Sequence, residues 1–230
     1  MTSLEVLLLT AISLIIIFAA LPYVISTLYA SMAPLEYRNA VAYVLAFADG
    51  LEADFGMAGS RKYFPLPNFV YGSFGAVNRT YTLIIRCGST SLNRYGDRWN
   101  VVEVWYNSTY LVDGPRLYRG VDGGLIAFVG DTMVAVNATP PGRLKLYFRP
   151  FVVNGTDEVY IYFVSSRFYA RGRYYLTYEV SGTLTVDGPR QCGGKLEIRV
   201  SDGVRQWSYT TQNVVKNVYI VNQTVAVELR

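Results

Sequence analysis

The chain has 230 residues, 51% of them apolar, a formal net charge of +4 and no histidine. Without histidine the commonest general base and metal ligand are missing, and no Ser-His-Asp or Cys-His arrangement can be built. The charge is divided, −4 over residues 1–55 and +8 over residues 56–230, but no Lys/Arg run exceeds two residues, so it reads as solvated surface charge and no nucleic-acid partner is expected.

Residues 1–30 form an apolar run. After Glu5 no charged residue occurs until Glu36, leaving residues 6–35 uncharged. About 20 apolar helical residues span a bilayer core, so this segment is long enough to cross with several to spare. Thr10, Ser13, Ser26 and Thr27 are its clearly polar groups. A signal peptide would carry a basic start, a short apolar core and a small-residue cleavage site. Here the run is too long and the basic start is missing, so retention in the working protein is expected.

In residues 31–55, Tyr37, Val41, Val44, Leu45, Ala48, Leu51 and Phe55 recur at helical spacing, with Glu36, Arg38, Asn39, Asp49 and Glu52 largely between them. This predicts an amphipathic helix whose apolar face seeks a partner, ending near Gly56 or Gly59. Pro34 either interrupts the helix or starts a new one, since proline is tolerated in a first turn. A continuous helix over residues 3–55 would be a rod of about 80 Å. The expected division is residues 1–58 as hydrophobic helix and residues 59–230 as an extracellular head.

Residues 60–76, with Pro65 and Pro67, read as a linker or first strands. Beyond them the pattern is β throughout, with candidate strands at 80–86, 101–106, 109–112, 125–129, 133–136, 144–149, 159–164, 174–180, 183–186, 196–200, 207–211, 218–221 and 225–229. About a dozen short strands cut by Gly, Asn, Asp and Pro predict an all-β antiparallel sandwich of Ig-like type. Val112-Asp-Gly-Pro-Arg116 recurs as Val186-Asp-Gly-Pro-Arg190, a composition that suits two similar turns at strand ends. The basic and aromatic stretch from Arg167 to Tyr175 reads as cross-strand packing, with glycan or single-strand binding as the alternative.

Two cysteines, Cys87 and Cys192, lack the spacing of a zinc site; one disulfide is their simplest use in an exported chain, two buried thiols the alternative. Five N-x-[ST] sequons, at Asn78, Asn107, Asn137, Asn154 and Asn222, all lie after the helical region. Chance placement of these residue types yields about 1.4, so the excess points to an exported domain carrying N-linked glycans. Export of the head places the N-terminus in the cytoplasm, yet no Lys or Arg precedes Glu5 to orient it. A basic leader present at insertion and later removed would resolve the conflict; orientation by other signals is the alternative. Glu5 at the edge of hydrocarbon is costly unless paired. Either it pairs with an α-amino group, its own or a neighbour's at Met1, or it is an interfacial residue of an anchor.

Glu5, the apolar run and Pro22 within Ala-Ala-Leu-Pro-Tyr resemble the N-terminal helix of mature type IV pilins. The resemblance covers residues 1–30 and the helix continuing to about 55. It implies a pilin-like α+β architecture, leader removal by a prepilin peptidase, storage in the cytoplasmic membrane and packing of the helix into a filament core by an assembly machinery. It assigns assembly roles to Met1, Glu5 and Pro22, the proline being associated with a kink or melted stretch. The β-rich remainder is closer in character to the heads of archaeal pilins. The expected function is therefore a non-enzymatic subunit of an archaeal type IV pilus-like homopolymer for adhesion, without cofactor or metal. The alternatives are a non-polymerising membrane-anchored binding module, contacting a surface layer or a motility-filament stator, and an anchored extracellular enzyme, for which no spaced carboxylate pair stands out.

Overall fold

A computed structural model describes residues 3–92, 98–139 and 142–230, with side chains from Glu5 onward. One helix, α1 (Ser3–Ala53), precedes fourteen strands. These are β1 (Arg61–Pro65), β2 (Gly72–Cys87), β3 (Thr90–Ser91), β4 (Arg98–Ser108), β5 (Leu117–Arg119), β6 (Ala127–Phe128) and β7 (Val134–Thr139). They continue with β8 (Arg143–Phe148), β9 (Phe151–Asn154), β10 (Glu158–Ala170), β11 (Tyr175–Gly194), β12 (Leu196–Ser201), β13 (Gln206–Thr210) and β14 (Val215–Leu229).

The helix is unbroken. Its 51 residues include both Pro22 and Pro34, and at 1.5 Å per residue they extend about 77 Å. Of the two alternatives at Pro34 neither an interruption nor a new start is seen, and the helix is not melted at Pro22. Each proline removes one helical donor, a loss that apolar helices tolerate when the neighbouring turns hold. The hydroxyls of Thr10, Ser13, Thr27 and Ser31 donate back to the carbonyls of Leu7, Leu9, Tyr23 and Leu28 at 2.7–2.9 Å. These polar groups are thereby satisfied within the helix. α1 ends at Ala53, and Gly56, at φ +85°, turns the chain toward the head.

The strands form two sheets, ordered β1-β11-β14-β10-β9-β6 and β13-β12-β2-β4-β8-β7-β5, with β3 beside β2. Pairing is mostly antiparallel. Two pairs depart from the all-antiparallel expectation: β10 runs parallel to β14 over thirteen residue pairs, and β6 runs parallel to β9. A parallel pair needs a long crossover, and residues 171–214, which carry β12 and β13 into the other sheet, provide it. The sheets meet through buried groups. Trp99 Nε1 on β4 donates to the Val164 carbonyl on β10 at 2.9 Å, and the Val102 amide donates to Ser166 Oγ at 2.7 Å. The Cys87–Cys192 disulfide ties β2 of one sheet to β11 of the other.

Alternation sets the faces. In β12, Leu196, Ile198 and Val200 are buried and Glu197, Arg199 and Ser201 are half-exposed. Candidate strands 174–180 and 183–186 join into β11, and 218–221 and 225–229 join into β14. Candidate strand 109–112 is irregular instead, because the chain leaves the sheet at Ser108. The two Val-Asp-Gly-Pro-Arg copies are not equivalent turns. The first is irregular; the second lies inside β11 at a register shift against β14. There Gly188 has φ +145°, and a Cβ would sit 2.7 Å from the Val218 carbonyl oxygen, so only glycine fits.

The head's core includes the helix. Ala33, Tyr37, Ala40, Val41, Val44, Phe47, Ala48 and Leu51 are buried in one cluster with Tyr106, Leu146, Tyr178 and Val227. The partner of the amphipathic face is thus the chain's own β region. Gly50 lets the helix come close: a Cβ there would lie 3.0 Å from Tyr178 Oη and 3.1 Å from Phe64 Cζ.

Candidate assembly surface and its joint with the head

α1 has two halves of opposite character. From Val6 to Met32 its large apolar side chains are exposed around the whole circumference, Leu7 at 69%, Phe18 at 68% and Tyr23 at 75%. From Ala33 onward one face is buried in the head. The exposed half is long and apolar enough to cross a membrane. Apolar residues on every side suit lipid or a bundle of like helices, not water.

Acidic residues mark the joint between the halves. Glu36, the first charge after the apolar run, accepts hydrogen bonds from the amides of Val70 (2.5 Å) and Tyr71 (2.9 Å) and from Tyr106 Oη (2.7 Å). Burial, followed by the Glu36 contact, pushes the Tyr106 phenol above its ordinary value. Tyr29 packs on Tyr71 and Tyr110 at centroid distances of 5.4 and 6.3 Å, one helical face above. The helix thus leaves the head through an aromatic collar with a carboxylate beneath it.

Two further carboxylates hold the helix C-terminus. Glu52 accepts from the Met133 amide at 2.9 Å and pairs with Arg119, which also binds Asp49. Burial raises the Glu52 carboxyl against the opposing effects of the Met133 hydrogen bond and Arg149. Asp54 accepts from Ser60 Oγ (2.5 Å), Lys62 Nζ (2.8 Å) and Tyr178 Oη (2.7 Å). Burial works to raise Asp54, and the hydrogen bonds from Lys62, Ser60 and Tyr178 outweigh it, so its carboxyl titrates below the usual range. Behind them, fully buried Arg149 binds Asp131 at 2.6 Å and the Thr132 carbonyl, fastening the segment that carries Met133. Glu36, Asp49 and Glu52 thus bind the head, where periodicity placed them only between the apolar positions. The signal for Glu36 is its place as the first charge after the long uncharged run; Asp54 has no comparable signal.

Of the expected assembly residues, Met1 lies outside the described residues. Glu5 is exposed in the first turn of α1, where a carboxylate suits the helix dipole, and Pro22 sits mid-way along the exposed half. They share one rod and are not brought together.

The five sequons are not equally open. Asn78 and Asn154 are exposed; Asn107, Asn137 and Asn222 are half-buried. The Asn78 amide exchanges two hydrogen bonds with the Phe168 backbone, and Asn154 Nδ2 donates to Tyr209 Oη. Asn137 Nδ2, the atom a glycan would take, donates to the buried hydroxyl of Tyr147 at 2.9 Å. The stretch from Arg167 to Tyr175 contains one cation–π contact, Arg171 over Tyr169 at 5.7 Å. Among the described residues no group of three His, Cys, Asp or Glu could hold a metal.

No family model, curated protein or solved structure matches this chain.

Proposed function

We propose that the chain is a structural subunit of an extracellular helical filament resembling archaeal type IV pili, polymerising through its N-terminal helix and serving surface attachment. One observation carries this reading: a single continuous helix is apolar on all sides for its first half and packed into the head for its second. An anchor needs only a flexible tether to its domain. A polymer needs each head held at a fixed angle to the core helix, because the helical repeat follows from identical, non-closing contacts between subunits. The three carboxylate joints supply that fixed angle.

On this reading residues 6–32 rest in the cytoplasmic membrane before assembly and pack against neighbouring copies after it. Glu5 pairs with the Met1 amine of a neighbour, and a prepilin peptidase exposes that amine. The head is a two-layer, Ig-like sandwich with a parallel pair, β10–β14, as its departure from Greek-key connectivity. N-linked glycans coat its outer surface. Negative-stain microscopy of shear-released material tests the proposal: filaments are expected, and dispersed particles alone would refute it. Glu5→Ala is expected to leave export intact and lower filament yield; unchanged yield overturns the pairing role.

The second reading is a non-polymerising, membrane-anchored binding module. The apolar segment favours it equally, since its length and composition satisfy a membrane span. The same microscopy separates the two.

A further inference from the structure

A cleft of about 510 Å³ opens in the head, lined by residues of β2, β4, β10, β11 and β14. It lies within the ~300–1,000 Å³ of small-molecule sites. Among the described residues its walls carry Arg98 and Arg167, both exposed, and no carboxylate. Among the described residues neither arginine forms an ion pair. Asn100, Ser165, Tyr169 and the sequon residues Asn222 and Thr224 are among its other polar lining residues.

Each feature narrows the ligand. Two guanidinium groups with no carboxylate among the described lining residues select an anion, and a carboxylate offers the planar oxygens that arginine binds in pairs. The hydroxyl and amide side chains of Ser165, Thr224 and Asn100 in the lining suit a hydroxyl-bearing ligand. Stacked bases are disfavoured: Trp99 is 3% exposed, its N–H is committed to Val164 and its ring packs against Tyr81 and Phe163. Tyr169 is the aromatic ring left at the mouth, and a single-strand site uses successive rings. We propose that this cleft binds a carboxylate-bearing saccharide, its acid group held by Arg98 and Arg167 and its hydroxyls facing the polar lining at Ser165 and Thr224. The proposal concerns the head and holds whether or not the chain polymerises.

The saccharide has two sources, a free acidic glycan or the glycan attached at Asn222 itself. The experiment uses the full-length chain in detergent micelles, produced with and without N-glycosylation, and checked by intact mass. Each form is titrated calorimetrically with a tetrasaccharide alternating glucuronate and N-acetylglucosamine, and with a neutral N-acetylglucosamine tetramer. The acidic probe is expected to bind at least about tenfold more tightly than the neutral one, the preference weakening with salt. Arg98→Gln/Arg167→Gln is expected to abolish the preference without changing the melting temperature, since both side chains are exposed. Binding to both forms identifies a free ligand; binding to the unglycosylated form alone identifies the chain's own glycan. No binding to either form, equal affinity for the neutral tetramer, or an unaffected double variant overturns the proposal.

Discussion

Glu36→Ala removes the carboxylate at which the rod leaves the head, and its cost can be worked from three donors. The Val70 amide belongs to an exposed residue, so water replaces the carboxylate there at little cost. The Tyr71 amide is half-buried and Tyr106 is fully buried, so both lose a charged acceptor that solvent cannot readily supply. A buried donor left unsatisfied costs about 1–3 kcal/mol. Allowing partial hydration at Tyr71, the substitution should destabilise the docked helix by about 2–4 kcal/mol. At about 2–4 °C per kcal/mol for a chain of this size, the melting temperature should fall by roughly 4–16 °C. Glu36→Gln keeps an acceptor oxygen and should cost about half as much. Near-UV circular dichroism in detergent reads the stability. Amide hydrogen exchange across residues 68–74 reads the joint directly, with the Tyr71 amide losing protection. A loss below about 0.5 kcal/mol, with Tyr71 protection intact, would refute the claim that this carboxylate fixes the helix on the head.

Three other expectations follow from the geometry. Reduction of Cys87–Cys192, or Cys87→Ala/Cys192→Ala, should cost up to about 4–5 kcal/mol, because the bond closes a loop of 105 residues between the two sheets; a guanidinium midpoint with and without reductant measures it. Asp54, depressed in the folded state, contributes stability that is present above the ordinary carboxylate pKa and lost as pH falls through its lower folded value. Asp54→Asn should therefore flatten the acid limb of the stability–pH curve below about pH 4; an unchanged limb in pH-jump unfolding would place the acid sensitivity elsewhere. Glycan mapping by mass spectrometry should show Asn137 empty or least occupied, because its Nδ2 is held by buried Tyr147; full occupancy there would require the Tyr147 contact to be broken.

The helix and the β character of the remainder were legible from the chain. The uncharged run of residues 6–35 and the spacing of Tyr37, Val41, Val44, Ala48 and Leu51 are local patterns, and a helix is built from local hydrogen bonds. The breaks at Gly and Asn fixed most strand positions for the same reason. The disulfide was the simpler of the two uses the two cysteines left open, and the structure pairs them. Strand order and direction were not legible. β14 carries the same Val-rich alternation whether its neighbour runs with it or against it, so its parallel pairing with β10 leaves no local trace. The second Val-Asp-Gly-Pro-Arg copy likewise looks like a turn until Val218 and Tyr219 close on Gly188 across the sheet.

The two helical spans, the apolar character of the first and the place of Glu5 were determined by sequence alone, because hydrophobic periodicity and charge spacing act over a few residues; their joining into one rod across Pro34 was not. What that rod is fastened to was decided only in the tertiary structure. Glu36 meets Tyr106 seventy residues away, Asp54 meets Tyr178 across 124, and Arg98 and Arg167 share one cleft from different sheets. Such contacts depend on how the two sheets fold over the helix, and a carboxylate on a helix face looks the same in the chain whether water or a buried tyrosine awaits it.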